Sequence, residues 1–294
     1  MLNLKLEISN ISKIGKVSIG IILFLILGCI TPFASQEIES KVDEYIGAYV
    51  EMNLFSGSVL ITQKGEILFK KAYGMADYEH AVPNTPQTKF RLASLTKQFT
   101  AMAVMQLHEK GLLNISDPIS QYIPDYPNGH KITIHLLLSH TSGIPNFTVS
   151  TNEETRLLPY TLEMTIEKFK DKPLEFSPGE KFEYSNAGYY LLGNIIEKVT
   201  GKDYETVLKQ NIFEPLGMTS SGYDHNHLIL KNRARGYHLE KGELYNAKYI
   251  HMSNVHASGG LYSTVEDMYL WHRALYTEKL VKKNSLEKMF TPFT

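Results

Sequence analysis

The sequence predicts a mixed fold of helices and antiparallel strands, the α/β (α+β) class, on the strength of two observations. Two short apolar runs, residues 58–62 and 67–73, flank Lys64-Gly65, which is typical of a β-hairpin. Several longer segments repeat apolar residues at helical spacing, and glycines follow two of them as stop signals. Two strands alone form a marginal sheet, so the hairpin needs partner strands, and the sequence after residue 200 offers few candidates.

In chain order, an amphipathic helix over residues 36–51 comes first, and the hairpin follows it. The next predicted element is a helix from Ser94 to Lys110, which ends before Gly111. Further helices are predicted at residues 134–139, 161–170, 187–200, 204–212 and 265–276. No repeat period and no low-complexity linker divides the chain, so residues 36–294 are predicted to form one domain.

The composition is that of an ordinary globular protein. Hydrophobic residues make up 43% and charged residues 21% of the 294 positions, and the formal net charge is −1. This balance offers no basic field for nucleic acid or for electrostatic attraction to a membrane surface. We therefore expect no nucleic-acid partner.

The first 29 residues differ from the rest and are predicted to be an export signal. Basic residues precede an apolar run that is short for a transmembrane helix, which is the pattern of a secretory signal peptide. Ile26-Leu27-Gly28-Cys29 resembles the lipobox of bacterial lipoproteins, in which the cysteine takes the lipid. We predict a signal peptide over residues 1–28, lipidation at Cys29, and a periplasmic or cell-envelope location at a membrane. Cleavage after Ala34 or Ser35 and an uncleaved anchor are the alternatives.

Ser94 and Lys97, in the stretch RLASLTKQF, form a candidate catalytic pair. Residues three apart lie on one face of a helix, about one turn from each other. A serine hydroxyl becomes a good nucleophile only when a base stands beside it. Burial near the positively polarised start of a helix lowers the pKa of a lysine toward that role. The same spacing recurs at Ser285 and Lys288, but in a polar run where a solvated helix is expected.

Tyr184-Ser185-Asn186 supplies a second candidate element. A phenol between a serine and a lysine can relay a proton, and the amide of Asn186 can hold the lysine or a substrate amide. Tyr184 stands before an apolar helix, whereas prolines and a glycine make the similar Tyr126-Pro127-Asn128 a predicted surface turn. We therefore expect Ser94, Lys97 and Tyr184 to lie within direct or water-bridged hydrogen-bonding reach.

Five ordered blocks carry a resemblance to a known family: FRLASLTKQFTAM, LLLSHTSGIPNF, SPGEKFEYSNAGYYLLG, IFEPLGMTSSGY and ASGGLYSTVEDM. In that order they resemble the serine β-lactamase-like family of class C β-lactamases, low-molecular-weight penicillin-binding proteins and related esterases. The resemblance covers residues 37–294. It implies an antiparallel sheet flanked by helices beside an adjoining helical lobe, with the active site between them.

The same resemblance implies a role for each candidate residue. Ser94 would be the acylated nucleophile, Lys97 its base partner, and Tyr184 with Asn186 the second motif. The implied reaction is acyl transfer to the serine from a β-lactam, a D-Ala-type cell-wall peptide or a small ester. No cofactor is implied.

The family's third motif, a Lys or His followed by Thr or Ser and then Gly, has no match in this sequence. His256 precedes Ala257-Ser258-Gly259, but the order of residue types differs. The chain also stops where the family's last strands normally follow, so we expect missing C-terminal strands and a weak or inactive catalyst. The alternative function is a truncated or non-catalytic relative that binds without efficient turnover. A local segment such as His256–Gly260 in place of the third motif would change that expectation.

Eleven histidines raise the question of a metal site. His225 and His227 are the closest pair, with His251 and His256 further on, but no acidic residue joins them at a spacing typical of hydrolytic zinc sites. Cys29 is the only cysteine, which excludes a cysteine cluster and a disulfide within the chain. The sequence therefore favours no metal and no other cofactor. A Gly-x-Ser-x-Gly elbow is also absent, which argues against an α/β-hydrolase.

Overall fold

The computed structural model describes residues 36–148 and 155–293. The predicted signal peptide over residues 1–28 and the predicted lipidation at Cys29 lie outside this part of the chain. Among the described residues, no helix has both the length and the apolar character needed to cross a membrane.

A helix and a hairpin form the N-terminal part, as the sequence predicts. Helix α1 covers residues 36–51, and strands β1 (Gly57–Gln63) and β2 (Glu66–Tyr73) pair antiparallel. At the turn, Lys64 and Gly65 have φ values of 52° and 86°. A two-residue hairpin turn whose twist matches the strands requires positive φ at both positions, which explains the glycine. Within the described chain these two strands form a sheet of their own, and no third strand pairs with them.

The remaining strands form three small antiparallel sheets. Two of them are pairs, β3 with β4 and β7 with β8, and the third has the order β5-β9-β6. Strand β9 thus brings a late part of the chain beside the residues that precede Ser94. The strand bounds are β3 Met75–Asp77, β4 Val82–Pro83, β5 Phe90–Arg91, β6 Gly222–Tyr223, β7 Tyr237–Glu240, β8 Glu243–Asn246 and β9 Leu261–Ser263.

Helices make up most of the remaining regular secondary structure, so the predicted α/β (α+β) class is confirmed. Each predicted helix has a counterpart, with ends that differ by a few residues. The helices after α1 are α2 Thr96–Glu109, α3 Ile134–Leu138, α4 Leu162–Glu167, α5 Asn186–Thr200, α6 Tyr204–Leu208, α7 Glu214–Leu216, α8 His256–Gly259, α9 Val265–Ala274 and α10 Lys283–Phe290.

One predicted helix is interrupted. The apolar spacing predicts a continuous helix over residues 204–212, but α6 ends at Leu208, and a π-helical turn over Lys209–Phe213 leads into α7. Pro215 stands in the first turn of α7. Because proline has no N–H to bond a carbonyl of the preceding turn, the wider turn accommodates the missing hydrogen bond.

The hydrophobic core is built around α2 and α5. Helix α5 is buried without interruption from Ala187 to Ile196. In α2, Phe99 is fully buried and packs on Trp271 of α9, with 4.2 Å between the ring centroids. Burial of both helices fixes their N-terminal ends, and these ends carry the candidate site residues.

One interpretation of the lesser motifs holds in part and one is wrong. The predicted turn at Tyr126-Pro127-Asn128 is present, but the ring of Tyr126 points into the core and is only 6% exposed. Ser285, predicted to be on a solvated helix, is 5% exposed and donates a hydrogen bond to Glu109 at 2.5 Å. Helix α10 is therefore amphipathic, with Ser285 and Leu286 on its buried face.

Candidate active site

Ser94 lies in a single 3₁₀ turn, Ala93–Leu95, that leads directly into α2. Ala93 has a φ of +46°, in the left-handed region that a residue with a Cβ rarely adopts. The preceding residue, Leu92, donates its N–H to the carbonyl of Leu261 at 2.8 Å, which ties this turn to β9. The serine is exposed to solvent, so a substrate can reach its hydroxyl.

Lys97, one turn later, is 6% exposed, and its ammonium is surrounded by acceptors. Its Nζ lies 2.8 Å from Asn186 Oδ1, 2.8 Å from the carbonyl oxygen of Ser258 and 3.3 Å from Ser94 Oγ. Burial disfavours the charged form and lowers the pKa of Lys97 to about 8. A usable fraction of neutral amine therefore exists near neutral pH.

Tyr184 contacts Ser94 from the other side. Its hydroxyl donates to Ser94 Oγ at 2.7 Å, and its ring lies over Lys97, with 4.9 Å from Nζ to the ring centroid. The ring also packs against the imidazole of His140, with 4.6 Å between centroids. Ser94, Lys97 and Tyr184 therefore lie together, at the distances that the sequence prediction required.

His140 belongs to the SHTSG stretch and supports the backbone around Tyr184. Its Nδ1 accepts the N–H of Ser185 at 3.2 Å, and its carbonyl accepts the N–H of Glu183 at 2.9 Å. Burial, with the charge of Lys97 as a smaller cause, lowers the pKa of His140 to about 4. The imidazole is therefore neutral across the working range of most hydrolases, and it adds no positive charge beside Lys97.

Asn186, the first residue of α5, links the lysine to the loop after His140. Its Nδ2 donates to Asn146 Oδ1 at 3.1 Å and to Thr148 Oγ1 at 2.9 Å. Its backbone N–H also donates to Asn146 Oδ1, at 3.0 Å. Neither Asn146 nor Thr148 was among the sequence candidates, although Asn146 lies within the LLLSHTSGIPNF block and Thr148 directly follows it.

Residues 257–261, which we call the rear segment, form the wall behind the lysine. The carbonyl of Ala257 accepts the hydroxyl hydrogen of Thr100 at 2.8 Å, and the N–H of Leu261 donates to Thr96 Oγ1 at 3.2 Å. These two bonds fix the rear segment on the first turns of α2, and they hold the Ser258 carbonyl on Lys97.

The rear segment overlaps the local stretch that sequence reasoning considered as a replacement for the third motif. It contributes a backbone carbonyl to the site. The basic side chain of that stretch, His256, packs instead on Tyr204, with 5.1 Å between centroids, and its Nε2 lies 3.6 Å from Glu197. A backbone acceptor has no residue-type signature, so only the block ASGGLYSTVEDM as a whole could have indicated it.

The histidines considered as metal ligands line a cavity of about 290 Å³ with Glu205 and Glu197. His225 already pairs with Glu205 at 2.6 Å. In the described part of the chain, the three side chains whose possible ligand atoms lie within 4.8 Å of one another are Asp77, Glu79 and His80. Arg235 pairs with both carboxylates of that surface group. Neither place offers a free set of ligands.

Known proteins resemble the chain along most of its length. The family model described as Beta-lactamase matches residues 42–293. A protein of Bacillus subtilis (strain 168) named as a penicillin-binding protein, PbpX, is 36% identical over 260 residues, which cover 88% of this chain and 65% of that protein.

Two solved structures are also similar. The octameric penicillin-binding protein homologue from Pyrococcus abyssi has a TM-score of 0.77 and 35% identity, covering 86% of this chain and 60% of that one. D-amino acid amidase from Ochrobactrum anthropi SV3 has a TM-score of 0.70 and 27% identity, covering 78% and 69% of the two chains. The chain thus spans 65% of the length of PbpX and 60% of the Pyrococcus chain.

Proposed function

The chain belongs to the beta-lactamase family, and from this premise we propose that it is a serine acyl-hydrolase that forms an acyl-enzyme on Ser94. The observation that carries this proposal is the position of Lys97, whose Nζ has hydrogen-bonding contact with the serine and with two further oxygens. Tyr184 supports it from the other side of the nucleophile.

The acceptors around Lys97 suit a base directed at the serine. A neutral amine has two N–H groups and one lone pair. The carbonyl of Ser258 and Oδ1 of Asn186 can only accept, and each lies 2.8 Å from Nζ, so they take the two N–H groups. The lone pair is then left for the hydroxyl hydrogen of Ser94, 3.3 Å away.

The proposed reaction follows from this arrangement. Ser94 transfers its hydroxyl proton to Lys97 Nζ while Oγ bonds to the acyl carbon of the substrate. Collapse of the tetrahedral intermediate breaks the bond to the leaving group, which takes a proton from Lys97 directly or through the hydroxyl of Tyr184. Water then attacks the acyl-enzyme with the same groups in reverse roles, which releases the acid and restores the serine.

The substrate class is an acyl compound whose leaving group needs a proton. The names of the similar proteins suggest two such classes, a penicillin-type β-lactam and a D-amino acid amide. The resemblance of the sequence blocks suggests a third, a D-Ala-type cell-wall peptide. A small ester is a fourth, because an alkoxide leaving group also requires a proton. These compounds share an electrophilic carbonyl carbon and differ in what leaves.

The direct test is acylation. We expect fluorescent penicillin to label the full chain and to add its mass to the peptide that contains Ser94. Ser94→Ala should abolish labelling and the hydrolysis of nitrocefin, a D-alanyl-D-alanine peptide, a D-amino acid amide and a p-nitrophenyl ester. Ser285→Ala is a matched control because it removes a serine with the same spacing to a lysine, and it should retain labelling. Labelling that persists in Ser94→Ala would refute the assignment of the nucleophile.

A non-catalytic relative is the second candidate function, and the same experiment separates it from the first. The Ser258 carbonyl, which holds Lys97 behind the serine, favours turnover. Stoichiometric labelling without release of product would instead support binding without efficient turnover. Rapid release of the labelled acid would support hydrolysis.

We also propose that the protein is held at the cell envelope by lipid on Cys29, on the basis of the lipobox-like Ile26-Leu27-Gly28-Cys29. Mass spectrometry of the mature N-terminus should then find an acylated Cys29, and Cys29→Ala should remove the acyl mass. A mature chain that starts near Gln36 without lipid would contradict this proposal.

A further inference from the structure

The side-chain amide of Asn186 has two orientations that differ by a half turn, and they have opposite effects on Lys97. With the oxygen toward the lysine, the amide accepts an N–H at 2.8 Å. With the nitrogen toward it, two groups of donors would face each other, and the lysine would lose one of its fixed acceptors. The two orientations occupy nearly the same space, because the oxygen and the NH₂ group are similar in size, so the hydrogen-bond partners must decide between them.

Asn146 decides between them through one unambiguous donor. The backbone N–H of Asn186 can only donate, and it lies 3.0 Å from the side chain of Asn146, so the atom of Asn146 that faces it must be the oxygen. The same oxygen lies 3.1 Å from the side-chain amide of Asn186. The group of Asn186 that faces this oxygen must therefore be the NH₂, which leaves its own oxygen for Lys97.

Thr148 strengthens this orientation without determining it. Its Oγ1 lies 2.9 Å from Nδ2 of Asn186. A hydroxyl can donate or accept, so it would adapt to either orientation of the amide. An asparagine oxygen that is already fixed by a backbone N–H cannot adapt, because both of its neighbours must be donors.

From this sequence of donors and acceptors we infer that Asn146 is a positioning residue of the site, which acts through Asn186 to keep an amide oxygen on Lys97. The inference rests on the proposed function for its effect on rate, because it takes Lys97 as the base. The orientation itself depends only on the three hydrogen bonds.

The other groups that face Lys97 stay the same when Asn146 is changed. They come from the 3₁₀ turn before α2, from the stretch before α5, from α5, from the SHTSG loop and from the rear segment, and none is a carboxylate among the described residues. They are Ser94, Tyr184, Tyr189, His140 and the carbonyl of Ser258. A shift in the titration of Lys97 can therefore be assigned to the amide and to the substituted side chain.

Two variants of Asn146 are expected to act in opposite directions. Asn146→Ala releases the Asn186 amide, so the ammonium form of Lys97 loses an acceptor and its pKa should fall below the present value of about 8. The lone pair of Lys97 is then no longer directed at Ser94, and kcat should fall about tenfold. A change of this size corresponds to the free energy of about one hydrogen bond. Asn146→Asp keeps an acceptor for both donors and adds a negative charge, so the pKa of Lys97 should rise and the plateau of kcat should be better preserved.

The experiment combines rate profiles with a measurement that does not depend on turnover. The rate of acylation by fluorescent penicillin is followed between pH 5 and 10 for the full chain, for both Asn146 variants and for Asn246→Ala. Asn246 is a control because its amide donates to the surface residue Glu79, away from the site. In parallel, ¹³C-lysine NMR follows the titration of Lys97, whose signal is assigned by its loss in Lys97→Arg.

Opposite shifts of the Lys97 titration in the two variants would support the inference. Unchanged titration in both, with similar losses of rate, would overturn it and leave Asn146 with a structural role only. If Asn146→Ala does not fold, as judged by its thermal transition, the plateau of kcat in Asn146→Asp decides. A preserved plateau would support the inference, and a loss of about tenfold despite the upward shift of the pKa would overturn it. If the wild type is not acylated, the proposed function fails, but the NMR titrations still test the orientation.

Discussion

At the scale of single residues, the site depends on a lysine whose charge is disfavoured by burial. Lys97 is 6% exposed and has a pKa of about 8, well below the usual value for lysine. His140, packed on Tyr184, is neutral because burial lowers its pKa to about 4. The two shifts have the same main cause. In both cases burial disfavours the charged form of a basic group that lies near the serine.

The pH dependence of acylation follows from the lysine. Only the neutral amine can accept the proton of Ser94, so kcat/KM should rise about tenfold per pH unit below 8 and level off above it. Lys97→Arg, which stays charged at every accessible pH, should lower the plateau by about 10²–10⁴. The measurement is the second-order rate of penicillin acylation between pH 5 and 10. A flat profile from pH 6 to 9 would contradict the role of Lys97 as base.

Ala93 offers a test of backbone strain beside the nucleophile. An alanine at a φ of +46° costs about 1–2 kcal/mol, whereas glycine adopts this region freely at an entropic cost of about 0.5–1 kcal/mol. Ala93→Gly should therefore leave the free energy of unfolding unchanged or raise it by about 1 kcal/mol, while the looser turn lowers kcat.

Urea denaturation measures this effect, and Ala103→Gly serves as control. Ala103 is buried in the interior of α2, so its replacement by glycine should cost at least about 1 kcal/mol. Equal destabilisation by the two substitutions would show that position 93 is not strained.

At the scale of elements, a close approach of α5 and α8 holds the rear segment in place. A Cβ added at Gly193 of α5 would lie 2.8 Å from the Cβ of Ala257 and 3.0 Å from Nδ1 of His256. The glycine is therefore the feature that allows α8 to lie against α5, and α8 in turn carries the carbonyl of Ser258 to Lys97. The absence of a Cβ at Gly193 therefore connects the packing of α5 on α8 with the position of the Ser258 carbonyl at Lys97.

Gly193→Ala should lower the free energy of unfolding by about 1–3 kcal/mol and reduce acylation, because α8 and the Ser258 carbonyl must move. Adding Ala257→Gly removes the opposing methyl group and should restore part of both losses. Gly47→Ala, in α1 with nothing within 4 Å of the added Cβ, should instead be neutral or stabilise by up to about 1 kcal/mol. Full activity and stability in Gly193→Ala alone would refute the contact.

The sequence indicated most of the elements and the side chains nearest to the serine. The role of Lys97 could be predicted from the sequence because it is three residues from Ser94, and this spacing places both residues on one helix face. Tyr184 and Asn186 could be predicted as site residues through the resemblance of several sequence blocks to a family. Asn146 and Ser258 could not be predicted from the sequence, since their contribution depends on where a distant loop and a backbone carbonyl lie in the fold. Ser285 shows a related error, because its polar neighbours suggested exposure and the fold buried the side chain. At Tyr126 the turn was predictable from its prolines and glycine, but the inward direction of the ring was not.

At the scale of the whole molecule, a buried carboxylate joins segments that are far apart in sequence. Asp224 is 1% exposed and lies 2.6 Å from Arg91 Nε and 2.6 Å from an Nη atom of Arg233. Its N–H donates to the carbonyl of Gly260 in the rear segment at 2.9 Å. The strand before Ser94, the strand β6 and the rear segment are therefore held at one point.

Asp224→Asn should be strongly destabilising for this reason. The amide replaces one acceptor oxygen with a donor that faces an arginine, and we expect the free energy of unfolding to fall by about 2–4 kcal/mol. The control is Glu287→Gln, which removes an exposed pair with Lys283 and should cost less than about 0.5 kcal/mol. Both values come from urea denaturation at pH 7. Similarly small losses of unfolding free energy in the two variants would contradict the role of Asp224 in joining these segments.

The hydrogen bond between Lys97 and the Ser258 carbonyl also has a consequence for when the site can form during translation. The two residues are 161 positions apart. At a translation speed of about 5–20 residues per second, a ribosome needs roughly 8–32 s to pass from one to the other. Throughout that interval Ser94 and Lys97 are already synthesised, but the rear segment that contacts Lys97 is not. Nascent chains stalled before the rear segment should therefore resist labelling by penicillin, and competence should begin only once that segment has left the exit tunnel.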